Sequence, residues 1–313
     1  MARAPYEIMV EESRRRLARV VERGGVAQVR DFYTRALQEI EAKLAHVGKT
    51  SDKFTAHQLR LYKAQILTGQ AQLAKQMRSH VHEVGRAART DALRGLIGNI
   101  KKLEARYTGA EVVLPIEEAS RFEGVLGKRE SMLRLRNEQN AAAMMVRNVE
   151  AAESALAMSL VTGETLGEAT ERVMDVMDEQ WWQAERVVRT ETMTAFAATQ
   201  ADGVKAAADE LPDLMLRWCE HVDDAGNPLD DRVDDDSLVM HGQVAPAGGM
   251  FVWPDDFADV VGGDPKRVKR LERFRGWRGL PVLRPNGREA LQPWRPHWGV
   301  PAWQWVDGER VDR

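Results

Sequence analysis

Two stretches near the start of the chain place apolar residues at three- and four-residue steps, the spacing of an amphipathic helix. The first stripe begins just after a Gly-Gly break and consists of Val26, Val29, Tyr33, Leu37, Ile40, Leu44 and Val47. The second stripe consists of Leu59, Tyr62, Ile66, Leu73, Met77, Val81 and Val84. Thr55 and Gln58 have the spacing of a capping box ahead of it. With a break from Gly48 to Lys53 between them, the stripes predict an antiparallel helix pair.

The same periodicity predicts three further helices before position 212. One spans about 130–160. A second starts near Thr165, where Thr165 and Glu168 repeat the capping spacing. A third begins around Asp178 and should end at Leu211, because proline disfavours helix in the residue before it. The segment 108–127 is less regular, which makes it the candidate hinge between the N-terminal helices and the rest of the chain.

Beyond position 212 the pattern changes, since seven of nine Trp and ten of twelve Pro lie there. Residues 214–219 and 250–253 have the composition and flanking turn residues of short buried strands. Residues 262–305 show little periodicity and predict an irregular wrap anchored by Trp277, Trp294 and Trp298. The fold class is therefore α+β, with long antiparallel helices in the N-terminal two-thirds and a small irregular α+β body with short strands after them.

Charge is distributed unevenly. Residues 1–110 contain 21 Lys and Arg against 11 Asp and Glu, a balance of +10, and the remaining residues carry -13. A basic arm on an acidic body favours a polyanionic partner, either an acidic protein ring or nucleic acid. Two solvated surfaces that merely differ in charge are an equally good interpretation. The candidate contacts to phosphate or to an acidic protein are Arg14, Arg15, Arg16, Arg19, Arg86, Arg89, Lys101 and Lys102.

Cysteine content and hydropathy bear on the compartment. The single cysteine, Cys219, cannot form an internal disulfide, which suits a reducing cytoplasm. The first residues have no apolar signal region, and charge interrupts every apolar run before it could span a bilayer. We therefore expect a protein that is made in a cytoplasm and has no membrane partner.

The densest group of candidate ligands is the acidic stretch Asp230–Asp236, with His241 five residues later. Carboxylates at this density suit Mg²⁺ or Ca²⁺, and the histidine could complete a hydrolase or nuclease centre. The spacing is not that of an EF-hand, and Cys219, His221 and Asp223 lack a second pair at zinc-site spacing. Asp-rich loops are more often simply solvated. We expect no metal, no cofactor and no enzyme activity.

Arg189-Thr190-Glu191 lies on an alanine-rich helix. Glu185 precedes Arg189 by about one turn, the stabilising order for an ion pair. One interpretation of Arg189 is thus a helix-surface ion pair. The alternative is that Arg189 and Glu191 reach across to hold the loops of the C-terminal body in register.

The chain resembles the Mu F-like phage head morphogenesis family in the order and spacing of several motifs over roughly residues 155–300. These include Arg189-Thr190-Glu191, Trp218, Asp231-Arg232-Val233, Met240-His241-Gly242-Gln243 and Pro254-Asp255. The resemblance implies structural roles for Arg189, Thr190, Glu191, Trp218, Arg232, His241, Gly242, Pro254 and Asp255. Two departures argue against a metal site: Ser237 stands where members carry His or Cys, and Arg295–Gly299 stands where many have a Cys-Arg-Cys segment.

Members of this family are minor head proteins at the portal vertex of tailed bacteriophages. The resemblance therefore implies a virion protein inside the head, docked on the portal protein and incorporated with scaffold and capsid proteins. It also implies non-specific contact with packaged double-stranded DNA and assistance in DNA delivery. The implied division is a basic helical arm at 1–110, a hinge and connecting helix at 111–154, the family domain at 155–300 and a tail at 301–313.

Two other functions stay open. One is a metal-dependent nuclease-type effector that uses the Asp-rich stretch. The other is a generic helical scaffold protein that self-associates through the two apolar stripes. An intramolecular helical hairpin is the favoured interpretation of those stripes, because an amphipathic face in a bundle is normally buried within the same chain.

Overall fold

A computed structural model describes residues 5–220, 235–280, 290–306 and 309–312. Helices account for most of the part before the first strand. They are α1 (Pro5–Arg19), α2 (Ala27–Leu44), α3 (Ala56–Thr108), α4 (Ala119–Gly127), α5 (Glu130–Thr162), α6 (Leu166–Glu179) and α7 (Trp181–Ala207). A π-helical turn at Val20–Val26 joins α1 to α2, and a 3-10 turn at Pro115–Glu117 precedes α4.

Short strands and helices follow α7. They are β1 (Met215–Cys219), α8 (Asp235–Met240), β2 (Val244–Pro246), β3 (Phe251–Val252), α9 (Phe257–Val260), α10 (Pro265–Leu271), β4 (Arg278–Gly279), β5 (Ala290–Trp294), β6 (Trp303–Val306) and β7 (Glu309–Asp312). The strands form an antiparallel sheet of order β2-β1-β5 and the antiparallel pairs β3-β4 and β6-β7. The predicted α+β class, with long helices first and a small stranded body after them, is confirmed.

Both predicted capping boxes are present. The Thr55 amide donates to Gln58 Oε1 at 2.9 Å, and Gln58 donates back to the Thr55 hydroxyl at 3.4 Å. Thr165 and Glu168 make the same reciprocal pair ahead of α6. These bonds satisfy amides that the first turn of a helix leaves without partners, which is why α3 and α6 begin where the sequence predicts.

The chain divides into two compact units, each made of several segments. The central unit comprises Val21–Val84 and Ser131–Glu191, and the terminal unit comprises Met1–Val20, Gly85–Glu130 and Thr192–Arg313. These divisions fall at other positions than 110, 154 and 300. The functional division into arm, hinge, family domain and tail stays a prediction.

The core of the central unit combines both apolar stripes with α5, α6 and the start of α7. Ile40 of α2 packs so closely on α3 that a Cβ at Gly69 would lie 2.5 Å from Ile40 Cγ1. Buried polar groups also join the helices: Asn148 donates to Gln70 Oε1 at 3.0 Å, and the Tyr33 hydroxyl donates to the Met177 carbonyl at 2.7 Å. The stripes are therefore buried within the chain, as the hairpin interpretation predicts.

The core of the terminal unit is rich in aromatic residues. Trp218, Trp294 and Trp298 are fully buried, and Trp218 meets Phe251 edge to face with ring centroids 5.3 Å apart. Residues from α1, α3, the end of α7 and the sheet contribute to the same core. This core brings together segments that are distant in the sequence.

Three expectations need correction. The described residues of the range 262–305, which are 262–280 and 290–305, are more regular than predicted, because α10 has an N-cap at Asp264 and β5 pairs along the whole of β1. The proline in β5, Pro293, weakened the strand signal, although proline is tolerated at the edge of a sheet, where β5 lies. The segment 108–127 contains α4 and buries Leu114, Ile116 and Leu126. The helix α7 ends at Ala207 instead of Leu211, since a hydrogen-bonded turn follows it.

Candidate functional site

The motif Met240-His241-Gly242-Gln243 is held by backbone bonds to β1. Trp218 donates its amide to the Gln243 carbonyl at 2.8 Å, and Gly242 donates to the Trp218 carbonyl at 2.9 Å. Gly242 has a φ of +82°, and a Cβ there would lie 3.4 Å from the Trp303 ring. Trp303 also donates its indole N–H to the His241 carbonyl at 2.9 Å. A left-handed conformation against an aromatic ring explains why glycine occupies this position.

His241 is a neutral hydrogen-bond acceptor in this arrangement. Its Nδ1 accepts from the Glu220 amide at 2.9 Å. Burial lowers the pKa of His241 to about 3, and the positive charges of Arg217 and Arg14 contribute to the same shift. The ring therefore carries no charge near neutral pH, and its Nδ1 is occupied by the protein's own backbone.

Gln243 connects the motif to β3. Its amide group donates to the Val252 carbonyl at 2.8 Å and accepts from the Val252 amide at 2.9 Å, as a neighbouring strand would. The next residue, Trp253, is almost fully buried and leads into Pro254, which is buried, and Asp255, which is exposed. The motif around His241 and the Trp253-Pro254-Asp255 turn are thus parts of one packed structure.

The face of β1 opposite to the Trp218 side chain carries a cluster that the sequence interpretation missed. Arg217, nine-tenths buried, donates to Cys219 Sγ at 3.4 Å, and its guanidinium lies 5.8 Å from the centroid of the Tyr6 ring. Burial raises the pKa of Tyr6, so its hydroxyl is protonated. Because side chains alternate along a strand, Arg217 and Cys219 were predictable neighbours on one face of β1. The packing of α1 and its Tyr6 against this face was not predictable from the sequence pattern.

The closing segment Arg295-Pro296-His297-Trp298 converges on one buried carboxylate of α3, Glu104. Trp298 donates its indole N–H to Glu104 Oε1 at 2.8 Å, and His297 Nε2 lies 3.2 Å from the same oxygen. Arg295 Nη1 is 2.7 Å from Glu104 Oε2, and its Nε donates to Asp213 at 2.8 Å. Glu104 therefore attaches this segment to α3, a role that no local pattern around Glu104 indicates.

The Arg189-Thr190-Glu191 motif lies at the end of the central unit. Arg189 Nε donates to Glu185 at 2.7 Å, and its guanidinium also pairs with Glu22. Glu191 accepts from Arg136 at 2.9 Å and from Asn140 at 2.8 Å, while burial raises its pKa. The predicted helix ion pair of Arg189 is confirmed. The contacts of Glu191 go to one carboxylate oxygen, Oε1, and the role of Arg189 and Glu191 in holding the loops of the C-terminal body stays a prediction.

The Asp-rich stretch is only partly described, since Asp230–Asp234, His221, Asp223 and Arg232 lie outside the described residues. Asp235 accepts a hydrogen bond from Arg267 Nε at 3.0 Å and also pairs with Arg270. The hydrogen bond from Arg267 lowers the pKa of Asp235. Within the described residues, no group of three His, Cys, Asp or Glu side chains is placed to hold a metal ion.

The basic candidates differ in accessibility. Arg15, Arg19, Arg86 and Lys102 are exposed, although Arg15 pairs with Glu11 at 2.9 Å. Lys101 pairs with Glu117 at 2.9 Å. Arg14 and Arg16 are half-buried, and the Arg16 guanidinium lies against Gly95 on α3.

Arg89 does not fit a surface contact. It is buried, and it donates to the Leu126 carbonyl at 2.5 Å with Glu130 at 3.7 Å. Burial lowers the pKa of Arg89, which is the mark of a desolvated cation. The prediction that Arg89 contacts phosphate or a portal surface is therefore wrong, because the helical period puts it on the inner face of α3.

The chain matches no family model, no curated protein and no solved structure. Across the described part of the chain, no helix combines the length and the apolar character that crossing a bilayer requires.

Proposed function

We propose that this chain is a minor head protein of a tailed bacteriophage, which docks on the portal protein inside the head and assists assembly and DNA packaging or delivery. The order and spacing of the motifs carry the assignment to this class. The contacts of those motifs support a structural role, since His241, Gln243 and Trp218 are engaged with one another and with the backbone. We infer that the protein is not an enzyme.

The basic helices of the terminal unit supply the docking surface in this proposal. Arg15 and Arg19 on α1 and Arg86 and Lys102 on α3 are exposed and lie in the same unit. Exposed cations steer an approach to an acidic portal surface or to packaged double-stranded DNA, and they do so without sequence specificity. Scaffold and capsid proteins would surround the same complex, and the protein would be located in the virion after synthesis in the host cytoplasm.

Co-purification with the portal protein encoded nearby on the same genome tests the proposal, over a salt series. We expect a stable complex that weakens as salt rises, and a further loss when Arg15, Arg19, Arg86 and Lys102 are changed to Glu. A matched control makes the same number of charge reversals in the central unit, by changing the exposed Arg35, Arg60, Lys75 and Arg78 to Glu. Absence of a complex at every salt concentration would reject portal docking.

A parallel assay separates the other functions. The full chain is incubated with double-stranded DNA and Mg²⁺, and both retention and cleavage of the DNA are followed. We expect salt-sensitive retention without cleavage. Mg²⁺-dependent cleavage that is lost when Asp230 and Asp231 are changed to Asn would replace the proposal with the nuclease alternative.

A further inference from the structure

Strand β7 has a backbone edge that can accept another strand. Its residues, Glu309–Asp312, pair on one side with β6, and all of them are exposed. Among the described residues no strand pairs with the other side, since β6 and β7 form a sheet of their own. The strand contains no proline to block pairing. Charged side chains discourage most strands from adding to an edge, so the charges of β7 decide what can bind there.

The register of the β6-β7 hairpin fixes which backbone groups point outward. Only two residues separate Val306 from Glu309, and Val306 and Glu309 lie opposite each other. A pair that closes a two-residue loop exchanges both backbone hydrogen bonds, and such pairs alternate along the strands with pairs that exchange none. The amide and carbonyl groups of Glu309 and Val311 therefore point to β6. Those of Arg310 and Asp312 point away from it.

We propose that β7 pairs with β7 of a second copy of this chain, in the antiparallel orientation and with Val311 on the twofold axis. In this register Arg310 of each copy stands opposite Asp312 of the other, so the outward-pointing backbone groups bond to one another. Val311 faces Val311, a β-branched pair that suits a sheet. The product is a closed dimer with a continuous sheet in the order β6-β7-β7-β6.

Charge selects a second copy and this register. Outward-pointing residues must meet outward-pointing residues, so the neighbouring antiparallel registers place Arg310 opposite Arg310 or Asp312 opposite Asp312. A parallel pair in register also sets these like charges side by side. Like charges directly opposite each other destabilise a sheet, and opposite charges stabilise it. Only the register centred on Val311 places an Arg–Asp pair on each side of the axis.

Both charges are accessible for this contact. The Arg310 and Asp312 side chains are 45% and 91% exposed, and Arg310 Nε lies 3.8 Å from Asp312 Oδ1, too far for a hydrogen bond. The Arg310 guanidinium lies 4.7 Å from the centroid of the Trp303 ring, a contact that uses none of its hydrogen-bond donors. Because the edge is short and its charges are exposed, we expect a weak dimer that dissociates further as salt rises.

Sedimentation equilibrium of the full chain over a concentration series tests the charge pairing. We expect a monomer–dimer equilibrium. Arg310→Asp and Asp312→Arg should each raise the dissociation constant at least about tenfold, because each places like charges opposite each other on both sides of the axis. The double variant Arg310→Asp/Asp312→Arg should restore dimerisation, because it exchanges the signs and keeps the pairing.

The matched control is Arg278→Asp, the same charge reversal at an exposed residue of another short strand, β4. Its dissociation constant should equal that of the unsubstituted protein. A monomer at every concentration overturns the inference. Self-association that both single reversals leave intact, or a double variant that dimerises no better than the single ones, overturns it as well.

Cysteine cross-linking tests the register. Facing Cα atoms of a pair without hydrogen bonds are about 4.5 Å apart, which is within the range of a disulfide. Val311→Cys should therefore form a homodisulfide, whereas Glu309→Cys, with its two copies about 14 Å apart, should not. The native Cys219 is buried and does not compete. Efficient homodisulfides of Arg310→Cys instead of Val311→Cys would contradict the register.

The inference does not rest on the proposed function. A dimer that follows the signs of the charges at positions 310 and 312 remains valid if portal docking fails. Loss of portal capture in both single variants and in the double variant, together with a monomeric free protein, would instead assign this edge to a strand of the portal protein. That result would overturn pairing with a second copy.

Discussion

The contacts inside the central unit differ in kind from the contacts inside the terminal unit. The central unit packs helices through aliphatic stripes, with a few buried amides such as Asn148 and Gln70 between them. The terminal unit packs tryptophans around a short sheet and neutralises buried charge through single residues such as Glu104. Stability in the central unit is thus spread over many similar contacts. In the terminal unit it is concentrated in a few contacts between distant parts of the chain.

The largest expected effect comes from removing the carboxylate that holds the closing segment. Glu104→Ala leaves the half-buried Arg295 with Asp213 as its remaining partner and leaves Trp298 without its acceptor, and should cost about 3–5 kcal/mol in the free energy of unfolding. Chemical denaturation measures the loss, and hydrogen exchange should place it in the terminal unit. Glu111→Ala, an exposed acid of the same unit, is the control. An equal loss in the control would contradict the concentrated stability of this unit.

Acid should also weaken the terminal unit through His241. Its pKa in the folded protein is about 3, below the ordinary value of 6.5, so protons bind the unfolded chain more readily. The stability contribution is complete above about pH 6.5 and falls by about 1.4 kcal/mol per pH unit as the pH decreases towards 3. Urea titrations at pH 7 and 4.5 should show a smaller loss in His241→Gln than in the unsubstituted protein. Equal losses in both would refute this role.

The smallest expected effects come from Gly→Ala substitutions that test how closely the helices pack in each unit. A Cβ at Gly203 would lie 2.4 Å from Leu96 Cδ2 in the terminal unit, much as one at Gly69 would meet Ile40 in the central unit. Gly203→Ala and Gly69→Ala should each cost about 1–2 kcal/mol, because overpacking exceeds the helix propensity gained. Gly98→Ala in α3, with no atom within 4 Å, should instead stabilise by about 0.5–1 kcal/mol. Thermal denaturation of the three variants measures the difference, and stabilisation by either of the first two would show slack packing in its unit.

The bounds of α2 and α5 and the starts of α3, α6 and α7 were predictable to within a few residues, and both capping boxes were predictable in full. The helices α1 and α4 and the part of α3 beyond Val84 were not predicted. The predictable part of the site was Trp218 and the His241-Gly242-Gln243 motif, which β1 brings together. Arg89 was misassigned because composition identifies a basic residue without showing which side of a helix faces the core. Arg217, Tyr6 and Glu104 were missed because their partners lie on other segments.

The sequence alone determined where α2, α3, α5 and α6 begin, which of their faces are apolar, and that a stranded, Trp-rich part follows the long helices. Helix periodicity and capping depend on residues within a few positions of one another, so they can be identified without a tertiary structure. Only the tertiary structure decided that Glu104 holds Trp298, that Arg189 pairs with Glu22, and that Arg89 is buried. Those outcomes depend on which distant parts of the chain pack together. A buried charge needs a partner, and only that packing brings the partner within hydrogen-bonding distance.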